Sequence, residues 1–137
     1  MVFERKINYY ETDRMGIVHH SNYIRYFEEA RCYALEKIGL PYGKIEELGI
    51  MIPVLEVEAV YKTPVTFDDV ILVDTTFTEV KGARMTVEYT ITNKQTGNIV
   101  VTGKTMHCFT DSNLKPIILQ KKHEDVYNKF MKCIIHQ

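Results

Sequence analysis

The spacing of apolar residues changes several times along this chain, and each change marks an element. Phe3, Ile7 and Tyr9 alternate with Glu4, Lys6 and Asn8, and Arg5 alone breaks the rhythm. That period of two predicts a short first strand. From Tyr23 the period lengthens. Tyr23, Phe27, Ala30, Ala34 and Ile38 recur at three and four residues, Tyr26 widens the stripe, and Arg25, Glu28, Glu29, Arg31 and Glu36 take the other faces. This predicts an amphipathic helix that ends after Lys37, where Gly39 and Pro41 stop it, with Ser21 or Asn22 expected to cap its start. A shorter helical piece is expected over Tyr42 to Leu48, before Gly49.

From there to about Thr110 the period returns to two. Leu55, Val57, Ala59, Tyr61 and Thr63 share one face, with Glu56, Glu58 and Lys62 opposite. Ile71, Val73, Thr75 and Phe77 repeat the pattern, and Ala83, Met85, Val87, Tyr89 and Ile91 give its cleanest form. A fourth long strand runs from Ile99 to Phe109, with Gly103 expected at a bulge or a close approach. The joins Lys81-Gly82 and Thr96-Gly97-Asn98 read as hairpins, so the strands should be antiparallel. After Lys115-Pro116, the triplet Ile117 to Leu119 would extend or cover the sheet, and Val126, Phe130, Cys133 and Ile134 suggest a short final helix.

Four long strands with one apolar face need a cover for that face, and the helix from Tyr23 is the one element large enough to supply it. The expected architecture is therefore α+β: a single domain over residues 1–137, in which a curved antiparallel sheet wraps around a long central helix. The Thr-rich opposite face would meet water, or another subunit through a mixed surface.

Composition narrows the function. Lys and Arg total 17, Asp and Glu total 18, and the net charge is −1. A general nucleic-acid binder would need a basic stripe to displace counterions, so nucleic acid is not expected as a partner. Cys32, Cys108 and Cys133 form no CxxC pair and suit free thiols in a reducing compartment. The opening residues Met1 to Lys6 turn charged at once, unlike a signal peptide, and no apolar run approaches the ~20 residues of a membrane helix. The expected location is cytoplasmic.

The candidate chemistry lies in the loop before the helix, ETDRMGIVHH (Glu11 to His20). A loop acid can act as a nucleophile or as a base for water, and attack at a carbonyl needs a receiver for the oxyanion charge that develops on its oxygen. A helix start offers unpaired N–H groups suited to that oxyanion, and Asp13, seven residues before His20, can turn back towards it with Gly16 absorbing the bend. The structural alternative is that Asp13 forms a turn, as loop aspartates often do. Asn22 serves equally as a cap or loop brace. Adjacent histidines such as His19 and His20 project in different directions unless the backbone bends sharply, and neither HxH, HExxH nor a cysteine pair supports them, so no metal is expected. The other histidines, His107, His123 and His136, are remote in the chain. Glu28 and Glu29 read as solvent-facing or dimer-bracing rather than catalytic.

The run Asp13-Arg14-Met15-Gly16-Ile17-Val18-His19-His20-Ser21-Asn22-Tyr23, with Tyr9 before it and Phe27-Glu28 after, resembles the opening motif of the 4-hydroxybenzoyl-CoA thioesterase family. These are hotdog-fold acyl-CoA thioesterases and include homologues associated with the bacterial Tol-Pal system. Pro53-Val54, Tyr61, Pro64-Val65 and Asp69 resemble the second block, so the likeness spans roughly residues 3 to 110. The resemblance implies a hotdog domain, subunits paired edge to edge as a dimer or further as a tetramer, and active sites at that interface. It places the catalytic carboxylate at Asp13, with Gly16 in the motif, and the oxyanion donor at the His20 backbone N–H. It implies an acyl-CoA substrate with no separate cofactor, since coenzyme A is part of the substrate. Substrate contacts then fall to His19, Asn22, Tyr23, Phe27 and Tyr61, with Lys81 and Arg84 towards the phosphates. His19 stands where a tyrosine is common, a difference that bears on acyl fit.

Other readings stay open at this point. An acyl-carrier-protein thioester is the close substrate variant. A hotdog dehydratase would want a histidine and a carboxylate on opposing subunits within a helix motif not evident here. A noncatalytic acyl-CoA-binding hotdog protein usually lacks the acid, and a decayed structural relative would not keep both Asp13 and Gly16.

Overall fold

The computed structural model describes residues 1–135, so His136 and the expected domain limit at residue 137 lie outside the described residues. The chain runs β1 (Val2–Lys6), a 3-10 turn (Tyr9–Glu11), α1 (Ser21–Lys37), α2 (Tyr42–Glu47), β2 (Val54–Tyr61), β3 (Val70–Lys81), β4 (Arg84–Asn93), β5 (Ile99–Cys108), α3 (Leu119–Lys122) and α4 (Glu124–Ile135). The strands form one sheet in the order β1-β3-β4-β5-β2, every pair antiparallel. This is the α+β sheet-and-helix architecture that the periodicity predicts.

The inward face follows the alternation. Ile71, Val73, Thr75 and Phe77 of β3 and Met85, Val87, Tyr89 and Ile91 of β4 are buried. The β3–β4 register shifts between Phe77 and Glu79, which resets the parity so that Val80 turns inward and Glu79 stays out. Tyr23, Tyr26, Phe27, Ala30, Ala34 and Leu35 form the buried stripe of α1. Phe27 stacks on Tyr89 with ring centroids 4.4 Å apart. A Cβ on Gly103 would overlap the Phe27 ring, and the β4–β5 register passes Gly103 without a shift, so this glycine marks a close approach and not a bulge.

Three expectations change. First, α1 is not the sole cover. The tail is tied to the sheet by the Ile117 N–H to the Phe109 carbonyl (2.9 Å) and the Leu119 N–H to the Gly82 carbonyl (3.2 Å). This brings α4 across the sheet, where buried Phe130 meets Phe77 and Phe109 at ring distances of 5.4 and 5.8 Å. Second, β1 stops at Lys6, and Tyr9 falls in the 3-10 turn, exposed, instead of continuing the strand.

Third, the apolar face of β2 is not buried. Val57, Ala59 and Tyr61 pair with Thr105, Gly103 and Val101, which sets them on the core-bearing side of the sheet. Yet Leu55, Val57 and Tyr61 remain 48%, 39% and 50% exposed. The reason is position: β2 is the sheet's edge, with a neighbouring strand on one side only.

Candidate active site

The loop between the 3-10 turn and α1 folds as a small hairpin. Thr12 bridges Val18, the Asp13 N–H donates to the Ile17 carbonyl (2.8 Å), and the Gly16 N–H returns to the Asp13 carbonyl (2.9 Å). Gly16 has φ +83°, the left-handed conformation that this return requires. Ile17 also bridges Thr66, and the Val18 N–H donates to the Val65 carbonyl (2.9 Å), so the hairpin is stitched to the segment after β2. Within it, Asp13 Oδ1 accepts the Met15 N–H (2.8 Å). The turn-forming role is thus real, but it uses one oxygen. Asp13 is half-buried, and its Oδ2 has no hydrogen-bond partner among the described residues.

The helix start differs from expectation. His20 already has helical angles (φ −55°, ψ −30°), so Ser21 and Asn22 lie inside the first turn and neither caps it. His19 does the capping: its Nδ1 accepts the Ser21 N–H (3.3 Å) and lies 2.8 Å from Ser21 Oγ. Asn22 is the loop brace. Its Nδ2 donates to the Glu11 carbonyl (2.8 Å), which also accepts the His19 N–H (2.9 Å). The N–H groups of Asn22 and Tyr23 turn back to the carbonyls of His19 and His20. The N–H of His20 has no acceptor among the described residues. A free donor at a helix start, with the helix dipole behind it, suits a developing oxyanion.

His20 opens on a groove of about 240 Å³ lined by Ile17, Val18, His20, Tyr23, Tyr61, Lys62, Thr63 and Pro64. The rings of Tyr23 and Tyr61 are 5.6 Å apart, His20 meets Tyr61 edge-on at 6.3 Å, and His19 stacks on His20 at 4.3 Å. Burial, with Tyr61 nearby, pushes the Tyr23 phenol up to about 12, so this hydroxyl stays protonated at neutral pH.

The structure brings His20, Tyr23 and Tyr61 together, with the hairpin of Asp13 and Gly16 joined to the groove through Ile17. It does not bring Phe27 there: that ring is fully buried between Tyr89 and Gly103. Lys81 and Arg84 are exposed and face each other across the β3–β4 hairpin. Tyr61 pairs with Val101 but Arg84 with Cys108, seven residues along β5, a separation of roughly 20 Å within one chain. Glu28 is exposed. Among the described residues, no three His, Cys, Asp or Glu side chains stand together as a metal site.

Sequence reasoning missed Lys62 and Thr63 in the groove wall, and it missed the charge network beneath the loop. Arg5 Nη1 donates to Glu11 Oε1 (2.5 Å), while Nε and Nη2 donate to the two oxygens of Glu29 (2.6 and 3.2 Å). The Asn8 N–H adds a bond to Glu11 Oε1 (2.8 Å), and the guanidinium lies 4.5 Å from the Tyr26 ring centroid. Burial opposes the charge on Arg5, but the hydrogen bonds and charges of Glu29 and Glu11 outweigh it and raise its pKa. One signal was available. Arg5 stands on the inward parity of β1, between Phe3 and Ile7, where a cation needs a buried partner.

The chain is similar to known proteins over most of its length. A family model described as the thioesterase-like superfamily matches residues 7–128. A curated Aquifex aeolicus protein named "Putative esterase" is 38% identical over 107 residues, covering 78% of this chain and 82% of that one. A Bacillus subtilis protein named "Putative acyl-CoA thioesterase YneP" is 29% identical over 131 residues, covering 95% and 94%. The crystal structure of a DHNA-CoA thioesterase from Staphylococcus aureus superposes with a TM-score of 0.90 at 30% identity, covering 96% of this chain and 88% of that one.

Proposed function

Because this chain belongs to the thioesterase-like superfamily, we propose that it hydrolyses the thioester bond of acyl-CoA to a free carboxylic acid and CoA. The observation that carries this reading is the unpartnered His20 N–H at the start of α1, opening on an aromatic groove beside the Asp13 hairpin. The thioester oxygen accepts from that N–H, which stabilises the charge that develops as the carbonyl carbon is attacked. Asp13 acts on the same carbon with its free oxygen. It does so as nucleophile, giving an anhydride that water then opens, or as the base that takes a proton from the attacking water. In either route the CoA thiolate leaves and is protonated. Gly16 permits the turn that presents Asp13.

The two relatives whose names carry an acyl-CoA or aromatic CoA substrate support the choice of substrate class. Within the superfamily, the run Asp13 to Tyr23 supports the 4-hydroxybenzoyl-CoA type and the neighbourhood of the Tol-Pal-associated homologues. The tyrosines of the groove favour including aromatic acyl groups among the substrates.

The working unit of this reading is a dimer, or a tetramer of paired dimers, joined through β2. That strand carries apolar side chains at an open sheet edge, which an antiparallel second copy would extend and cover. Antiparallel pairing sets the Tyr61 end of one copy beside the Arg84 end of the other. Lys81 and Arg84 of the second copy then become the contacts for CoA phosphates. Three free cysteines and the absence, among the described residues, of a helix able to cross a membrane accord with a cytoplasmic enzyme.

Free-thiol release from short, long and aromatic acyl-CoAs, with acyl-carrier-protein thioesters alongside, tests the proposal. Turnover of CoA substrates supports it. Turnover of carrier-protein thioesters alone would move the substrate assignment, and turnover of neither would favour a binding protein.

A further inference from the structure

The Glu11 main chain and side chain do separate jobs. Its carbonyl holds the helix start from below, through the His19 N–H and Asn22 Nδ2. Its carboxylate, with the residue only 4% exposed, is held by Arg5 and by the Asn8 N–H. The same guanidinium grips Glu29, seven residues beyond Asn22 on α1, with two bonds. One cation on β1 therefore sets the distance between the residue that anchors the loop and the helix whose first turn carries the free N–H of His20. The side chains of Arg5 and Glu11 are 15% and 5% exposed, so water and salt screen this pair poorly. Surface ion pairs hold little, but a buried charge whose partner is removed is strongly destabilised, and the surrounding chain must move to rehydrate it.

We propose that Arg5 is a positioning residue: through Glu11 and Glu29 it fixes the His20 N–H and the Asp13 hairpin at the separation that thioester hydrolysis requires. Arg5 touches neither groove nor substrate, and works through the loop it holds. This inference rests on the hydrolase reading, and its test carries a readout independent of turnover. Removing the guanidinium leaves Glu11 buried without its counter-charge. Glu11 then shifts towards water and carries its carbonyl, and with it His19 and Asn22, out of register with α1. A displacement of the order of 1 Å costs roughly 10²-fold in rate when groups must be aligned.

The experiment compares Arg5→Met, Arg5→Lys, Glu11→Gln and Glu29→Gln, with Phe130→Leu as a control that loosens the core under α4, away from the loop. Thermal melting, kcat and KM on an acyl-CoA that the parent hydrolyses, and the amide NMR signals of His19 to Tyr23 in the ligand-free protein are recorded for each. The expected result is a 10- to 100-fold lower kcat for Arg5→Met with KM within about threefold. Arg5→Lys should recover part of that loss, and Glu29→Gln should lose less because the Glu11 bond remains. The His20 amide signal should move in Arg5→Met and Glu11→Gln but not in Phe130→Leu. If Arg5→Met does not fold, Glu11→Gln and Arg5→Lys carry the same comparison. Unchanged His20 signals, or a loss of kcat no greater than in a Phe130→Leu control matched in melting temperature, would overturn the proposal. An inactive parent would instead refute the hydrolase reading, while the amide signals still test the positioning.

Discussion

The ring of Phe27 lies against the backbone of Gly103, with no room for a methyl group between them. That contact seats α1 on β5 and so sets the height of the helix start above the sheet. Because Phe27 is also stacked on Tyr89, it has little freedom to yield. Gly103→Ala should therefore destabilise the protein by about 1–3 kcal/mol, the usual cost of overpacking. Chemical denaturation measures this, and an unchanged midpoint would mean that the ring moves freely.

Asn22 gives a local prediction. Its side chain is a donor to the Glu11 carbonyl, so the carboxamide N–H matters and the shape alone does not suffice. Asn22→Ala and Asn22→Asp should both lower stability by about 1 kcal/mol. Both should lower kcat more than they raise KM, because the bond supports the first turn that carries the His20 N–H. A fully active Asn22→Asp would show that the brace is dispensable.

His107 makes stability depend on pH. Burial first, and then the nearby Arg31 charge, lower its pKa from 6.5 to about 4, against a weaker opposing effect of the Ile52 backbone. In the unfolded chain the imidazole takes a proton near pH 6.5, so between there and about 4 the unfolded state binds more protons. Stability from this residue is complete above pH 6.5 and falls as pH falls towards 4, by up to about 3 kcal/mol. Denaturation at pH 7 and pH 4.5 should show a smaller acid loss in His107→Gln than in the parent. Equal losses would assign the acid sensitivity to other groups.

The β2 edge predicts the oligomeric state. Val57 faces the core side of the sheet yet remains exposed in the single chain, as does Leu55 at the β2 register shift, and a second copy is the proposed cover. The parent should sediment as a dimer or larger. Val57→Glu should shift it towards monomer and lose activity, since the proposed site is shared. A parent that sediments as a monomer would contradict this.

Local chemistry was legible in the sequence wherever one element decided it. The stripe Tyr23, Phe27, Ala30 and Ala34 and the alternation Met85, Val87, Tyr89 and Ile91 each need only their own neighbours to be read, and both are buried as expected. Leu55, Val57 and Tyr61 carry the same pattern yet stay exposed, because burial depends on what lies beyond the strand. His19 displaced Ser21 and Asn22 as the cap because the backbone enters the helix one residue early, at His20. The Arg5–Glu11–Glu29 network joins β1, a loop and α1, and only its inward charge was visible beforehand. Asp13 stood out from its motif, whereas its use of a single oxygen in the turn needed coordinates.

The central claim is that the Asp13 carboxylate and the His20 main-chain donor work on one thioester carbon. Comparing kcat for thiol release by the parent and by Asp13→Asn, at saturating acyl-CoA and with matched melting temperatures, tests it most directly. Asn keeps the side-chain oxygen that accepts the Met15 N–H and so preserves the turn, while removing the nucleophile or base. The account predicts a fall in kcat of about 10²–10⁴-fold; an Asp13→Asn enzyme that turns over within twofold of the parent would contradict it.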